Sequence, residues 1–166
     1  MKRFLIAVAA IILGCTAASA LVKGDKYFGG NLGFTISTSS SVGVAIQPEF
    51  GYFGANNWKI GVDASYTYQG IHAFTLMPNF AYYVNLCDGL YYTPGISLGL
   101  ALYAGGGVAL GFASTLNLFS LEFRPTPRFG FTANIVSFKL GVAEGGGVAL
   151  GGHLGVNPTV GFKYYF

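Results

Sequence analysis

Between Trp58 and Gln69 the chain alternates without interruption. Trp58, Ile60, Val62, Ala64, Tyr66 and Tyr68 fall on one side, and Lys59, Gly61, Asp63, Ser65, Thr67 and Gln69 on the other. A period of two places each set on one face of a β-strand. Leu90, Tyr92, Pro94, Ile96, Leu98, Leu100 and Leu102 form a second apolar row, opposite Tyr91, Thr93, Gly95, Ser97, Gly99, Ala101 and Tyr103. The alternation continues through most of the chain after Ala20, and no stretch holds a helical period. An all-β chain is expected.

A repeat sets the number of strands. Proline, any residue, an apolar residue, a small residue and an aromatic one recur from Pro48, Pro78, Pro127 and Pro158. The first three copies are followed by turn residues: Ala55-Asn56-Asn57, Cys87-Asp88-Gly89 and the region of Ala133-Asn134. Each copy reads as the second strand of a hairpin. Strands are then expected at 26–37, 42–54, 58–69, 73–86, 90–104, 116–131, 135–143 and 153–166, with an extended loop before the sixth. Most reach the roughly 9–11 residues that a tilted strand needs to cross a bilayer. An even count lets the last strand pair antiparallel with the first. The expected architecture is an eight-stranded antiparallel up-and-down transmembrane β-barrel. Prolines inside its strands lack a ladder donor, so they are expected at bulges or pairing gaps.

Composition decides which face looks outward. Charged residues make up 9% of the chain, against about 25% in an average soluble protein, and the mean hydropathy is +0.54. So little charge cannot clothe a soluble barrel. The interior of an eight-stranded barrel is just wide enough for side chains. The small polar set is therefore expected inside and the bulky apolar rows outside, against lipid. Aromatic residues then fall at two levels, as interfacial belts do. Tyr52, Trp58, Tyr82, Tyr92, Phe131 and Tyr164 lie near the short turns, and Phe34, Tyr66, Tyr68, Phe74 and Phe112 towards the other rim. Phe162, Tyr164 and Phe166 carry the outward face to the last residue.

The amino-terminal residues have a separate logic. Met1-Lys2-Arg3, the apolar run Phe4–Leu13 and Ala18-Ser19-Ala20 describe a secretory signal peptide over 1–20, leaving the barrel at 21–166. Ile12-Leu13-Gly14-Cys15 supports a competing lipoprotein reading with lipid on Cys15. With the ordinary cut Cys87 remains alone, an inert turn thiol, and no disulfide framework is possible. Removing Lys2 and Arg3 from nine basic residues leaves seven against six acidic ones. Nothing in that balance points to nucleic acid.

The inward face carries the candidate chemistry. Glu49 and Asp63 should face each other across the Asn56 turn, and like charges directly opposed are destabilising unless a cation is shared. Arg128 and Lys139 occupy the corresponding height on strands six and seven, across the bore. A lumenal ion network of Glu49, Asp63, Arg128 and Lys139, helped by Asn79, is expected, with Glu122 and Arg124 as a second layer above it. In so narrow a bore the network should act as a plug; the alternative is a narrow channel for small solutes. A lipid A-modifying enzyme is a further alternative, with His72 or His153, Ser39–Ser41 and Glu144 near one rim. The carboxylate that would orient a catalytic histidine is missing there, so no catalytic residue, metal or cofactor is expected. Gly105–Gly111 and Gly145–Gly151 repeat the same seven residues, GGGVALG. They read as flexible outer loops, or as an apolar patch for lipopolysaccharide or a partner.

Lys23-Gly24-Asp25 before the first strand, the Pro-x-apolar-Gly-Tyr-Phe strand with its Asn-rich turn, and the terminal Phe166 carry a resemblance. From Lys23 onward the chain resembles the small outer-membrane β-barrel family of Gram-negative bacteria, the OmpX/OmpA-like or porin-family barrels. The resemblance implies location more than activity: an integral outer-membrane protein in contact with the lipid bilayer and lipopolysaccharide, whose Phe162, Tyr164 and Phe166 resemble the signal read by the barrel assembly machinery. Both termini share the side of the short turns, which is expected to be periplasmic, and a monomer with a structural or surface-interaction role is expected. The connections at Ser39-Ser40-Ser41 and Gly70-Ile71-His72 are short for the family, which speaks against adhesion.

Overall fold

The computed structural model describes residues 23–36, 42–68, 70–105, 107–143, 148–149 and 159–166; the expected signal peptide, with Cys15, lies outside them. The alternating segments form β1 (Lys26–Ile36), β2 (Val42–Ala55), β3 (Trp58–Tyr68), β4 (His72–Tyr82), β5 (Val84–Cys87), β6 (Leu90–Tyr92), β7 (Gly95–Ala104), β8 (Val108–Thr126), β9 (Phe129–Ala143), β10 (Val148–Ala149) and β11 (Thr159–Tyr165). No helix occurs among the described residues. Chain neighbours pair antiparallel, and β11 pairs with β1 from Tyr27↔Tyr165 to Gly33↔Thr159. With the β9–β11 and β8–β9 ladders, that contact closes a ring of β1, β2, β3, β4, β7, β8, β9 and β11. β5 and β6 continue β4 and β7 towards the end that holds the termini, and β10 is a short strip on β9. The result is an eight-stranded barrel.

Three tight turns lie at the terminus end. Asn57 (φ +66°) and Gly89 (φ +78°) take the left-handed conformation that Asn and Gly tolerate best, each beside a bulge. The third turn corrects the expectation. Ala133 and Asn134 lie inside β9, and the chain reverses at Pro127-Arg128. Proline pre-sets the backbone for a tight turn, and Phe129 N–H donates to Thr126 Oγ1 at 3.2 Å. β8 consequently starts at Val108 instead of 116, β9 starts at Phe129 instead of 135, and the extended loop shrinks to the link between Ala104 and Val108. The end of the first glycine repeat, from Val108 to Gly111, is thus strand; most of the second lies outside the described residues.

Prolines occupy interruptions in the ladders. The β2–β3 ladder skips Gln47 and Pro48, and the β4–β7 ladder skips Met77 and Pro78. Pro94 separates β6 from β7, and Pro125 lies in the β8 bulge between Phe123 and Thr126. Pro158 is outside the described residues.

The two faces of the wall differ as the alternation requires. Leu100, Phe131 and Trp58 point outward with 61, 54 and 53% of their surface exposed. Inward positions carry small residues where a neighbour needs room. A Cβ built at Gly51 or Gly61 would stand 2.6 or 2.8 Å from the Tyr27 hydroxyl, and one at Gly130 only 2.6 Å from Glu122 Oε1. These glycines admit the Tyr27 ring and the Glu122 carboxylate to the interior.

Ring closure predicts a crosslink. Leu32 and Val160 are direct partners across β1 and β11, a spacing that a disulfide spans. In a Cys87→Ser background, oxidised Leu32→Cys/Val160→Cys should migrate as a crosslinked species on non-reducing gels, whereas Leu32→Cys/Leu100→Cys should not. Filling the Tyr27 cradle should destabilise the barrel: Gly61→Val is expected to cost about 1–3 kcal/mol, read from the denaturant midpoint.

Candidate functional site in the barrel interior

Five rings close the terminus end of the bore. Tyr27, Phe53, Tyr83, Tyr91 and Tyr165 are buried and come from β1, β2, the β4–β5 junction, β6 and β11. Phe53 lies 5.1 Å from Tyr83 edge-on and 6.4 Å from both Tyr27 and Tyr165, centroid to centroid. Tyr83 meets Tyr91 at 5.9 Å. The expectation of a small-residue interior fails here: rings fill the space that inward glycines leave, a filling that no single strand reveals.

Next to this floor lies a layer of charge. Glu49 Oε1 accepts from the Tyr27 hydroxyl at 2.5 Å and from Lys59. Lys163 Nζ stands 2.9 Å from Glu122 Oε2 and 3.9 Å from Glu49 Oε2, joining the two carboxylates. Tyr83 donates to Glu122 Oε2 at 2.8 Å and accepts from Lys163 at 2.9 Å, while Tyr165 donates to Glu122 Oε1. Asp63 Oδ1 accepts from Asn79 Nδ2 at 2.6 Å and Asp63 Oδ2 from Ser97 Oγ at 3.0 Å. The ammonium of Lys163 also lies over the Tyr27 ring, 5.1 Å from its centroid, and the Arg124 guanidinium lies 3.8 Å from that of Tyr165. Glu122 is 0% exposed, yet its carboxylate has three donors. A buried charge is tolerable on those terms.

The structure brings together part of the expected set. Glu49 pairs directly with Asp63, and Asn79 bonds Asp63. Arg128 does not belong: it lies in the exposed turn before β9, because the reversal comes earlier in the chain than expected. Lys139 is opposite Thr115 in β9, with its side chain outside the described residues. Glu122 and Arg124 do not form a separate layer. Lys163 ties Glu122 into the same network, whereas Arg124 Nη2 donates to Pro127 O at 2.5 Å. The cations that serve the carboxylates are Lys59 and Lys163. Both were legible in the alternation, since Lys59 shares the inward face of Asp63 and Lys163 falls between outward Phe162 and Tyr164.

Outside, Trp58, Tyr82, Phe162, Tyr164 and Phe166 are exposed and Tyr92 is half-buried. Trp58 meets Tyr82 at 4.9 Å, and Tyr164 lies between Phe129 at 5.2 Å and Phe166 at 6.3 Å. The Tyr92 hydroxyl donates to Leu118 O at 2.5 Å, beside a bulge in β8.

Towards the other rim the bore widens into a cavity of about 90 Å³, from Glu49, Lys59 and Lys163 to Ser65, Thr115 and Ser137. Amides and hydroxyls dominate its lining, which suits water. His72 is exposed at that rim, its Nδ1 2.9 Å from the Tyr66 hydroxyl; Ser39–Ser41, Glu144 and His153 lie outside the described residues.

The fold is similar to the N-terminal β-barrel domain of Pseudomonas aeruginosa OprF, with a TM-score of 0.52 and 12% identity over 87% of this chain and 98% of that one. It is also similar to Neisserial surface protein A, with a TM-score of 0.55 and 13% identity over 86% and 96% of the two chains. No protein-family model and no curated protein matches the sequence. At such identities the likeness establishes the barrel architecture, and function has to be argued from the site itself.

Proposed function

We propose that the chain is an integral outer-membrane protein of Gram-negative bacteria, a monomeric barrel with a sealed bore and a structural or surface-interaction role. The observation that carries this reading is the outer wall, where large apolar side chains stand exposed on all eight staves. A soluble monomer rarely exposes an apolar patch beyond a few hundred Å², whereas lipid requires such a surface. Both termini are assigned to the periplasmic side with the short turns, and Phe162, Tyr164 and Phe166 to recognition by the assembly machinery. The seal is assigned to the five rings and the Glu49–Lys59–Lys163–Glu122 layer. No step of this reading requires a catalytic group.

A second reading, a narrow channel for small solutes, rests on the polar cavity that leads down to Lys163. Planar-bilayer recordings separate the two. The sealed barrel should show no resolved conductance steps, and Tyr83→Ala/Tyr165→Ala should introduce them. Steady conductance of the unaltered protein that Lys163→Met changes would favour the channel.

The ion layer also predicts a stability pattern. Lys163→Met alone leaves Glu122 buried without its cation, at an expected cost of about 3–5 kcal/mol. Adding Glu122→Leu to Lys163→Met should recover much of that loss, as read from denaturant midpoints in lipid vesicles.

A further inference from the structure

Among the described residues, the exposed charge is gathered at one end of the barrel. Among the described residues, Lys23, Lys26, Asp88 and Arg128 are exposed, and all four lie in turns or strand ends beside the termini. In the sequence, the connecting residues 37–41, 69–71, 105–107 and 144–158 contain no lysine or arginine.

The three cations are also neighbours. Lys23 N–H donates to Asn56 Oδ1 at 3.2 Å. Lys26 and Phe166 exchange backbone hydrogen bonds at 3.2 and 3.0 Å, and Tyr165 N–H donates to Arg128 O at 2.8 Å. Around the rim the order is therefore Asn56, Lys23 to Lys26, Phe166 and Arg128, one continuous arc. Asp25, half-buried, is the acid within it. Asp88 belongs to the β5–β6 turn, on the opposite side of the ring. Along the same arc, on the outer wall, Phe28, Tyr52, Phe129, Tyr164 and Phe166 are exposed.

A band of rings bordered by cations matches the order of acyl chain, interface and phosphate in a lipid leaflet. We infer that this arc is a docking surface for anionic phospholipid headgroups, which gather on one side of the barrel. The inference rests on the membrane reading above. Basic side chains near an anionic lipid surface act cumulatively, and salt screens them beyond about 10 Å at 0.1 M. The opposite arc, with Asp88 exposed, offers no such attraction.

Trp58, the only tryptophan in the sequence, reports on this lipid, since it follows the Asn56 turn that Lys23 contacts and points outward. The folded barrel is inserted into phosphatidylcholine vesicles carrying equal fractions of brominated phosphatidylglycerol or brominated phosphatidylcholine. Brominated phosphatidylglycerol should quench Trp58 with an apparent affinity about threefold higher. That ratio should fall to about one at high salt and in Lys23→Gln/Lys26→Gln/Arg128→Gln, and Asp88→Asn should leave it unchanged. Single variants Lys26→Gln and Arg128→Gln, each expected to lower the ratio in part, carry the test if the triple variant does not insert. Equal quenching by both lipids in the unaltered protein overturns the inference, as does a triple variant that keeps its preference. Those outcomes leave the membrane reading standing, because brominated phosphatidylcholine still quenches. Failure of both lipids to quench overturns the membrane reading itself.

Discussion

A backbone N–H or C=O left unpaired in hydrocarbon costs several kcal/mol, so a wall as apolar as this one cannot keep an open edge. The pairing of Tyr27–Gly33 with Thr159–Tyr165 removes both edges at once. Closure on eight staves then sets the bore at a width that side chains alone can fill. Interior packing, the position of the charge layer and the freedom of the outer face to be apolar all depend on that contact.

Filling so narrow a bore joins inward residues from strands that are far apart in the chain. Tyr27 lies across glycines of two neighbouring strands, and Glu122 uses the room left by Gly130. The rings bring hydroxyls with them, and these satisfy Glu49 and Glu122, which would otherwise be too costly to bury. Lys163 bridges both carboxylates from β11, so the strand that closes the ring also completes the interior. Desolvation of its members offsets much of their mutual attraction, so the network is weak evidence of added stability.

The two ends of the barrel therefore do different things. The terminus end combines a ring floor inside with cations and aromatic side chains outside, and the other end opens through a cavity of amides and hydroxyls. Glu49 and Glu122 meet their cations within the bore, and among the described residues the exposed charge stays on one rim.

Alternation with period two was enough to assign faces: it placed Leu98 outward and Asp63 inward, and it put Lys59 and Lys163 on the interior side. The Pro-led repeat and the even strand count were enough for eight staves. Register between β2 and β3 was also legible, because the Asn56 turn brings Glu49 opposite Asp63. The third turn was not, since Pro127-Arg128 and Ala133-Asn134 are both acceptable reversals locally and only pairing of β8 with β9 selects between them. With the turn went Arg128, whose role in the interior depended on it. Local patterning by itself determined which side chains enter the barrel, because strand geometry is a property of consecutive residues. Which of them meet was decided by the closed ring alone, because long side chains such as Lys163 reach across the bore to partners that sequence distance does not reveal.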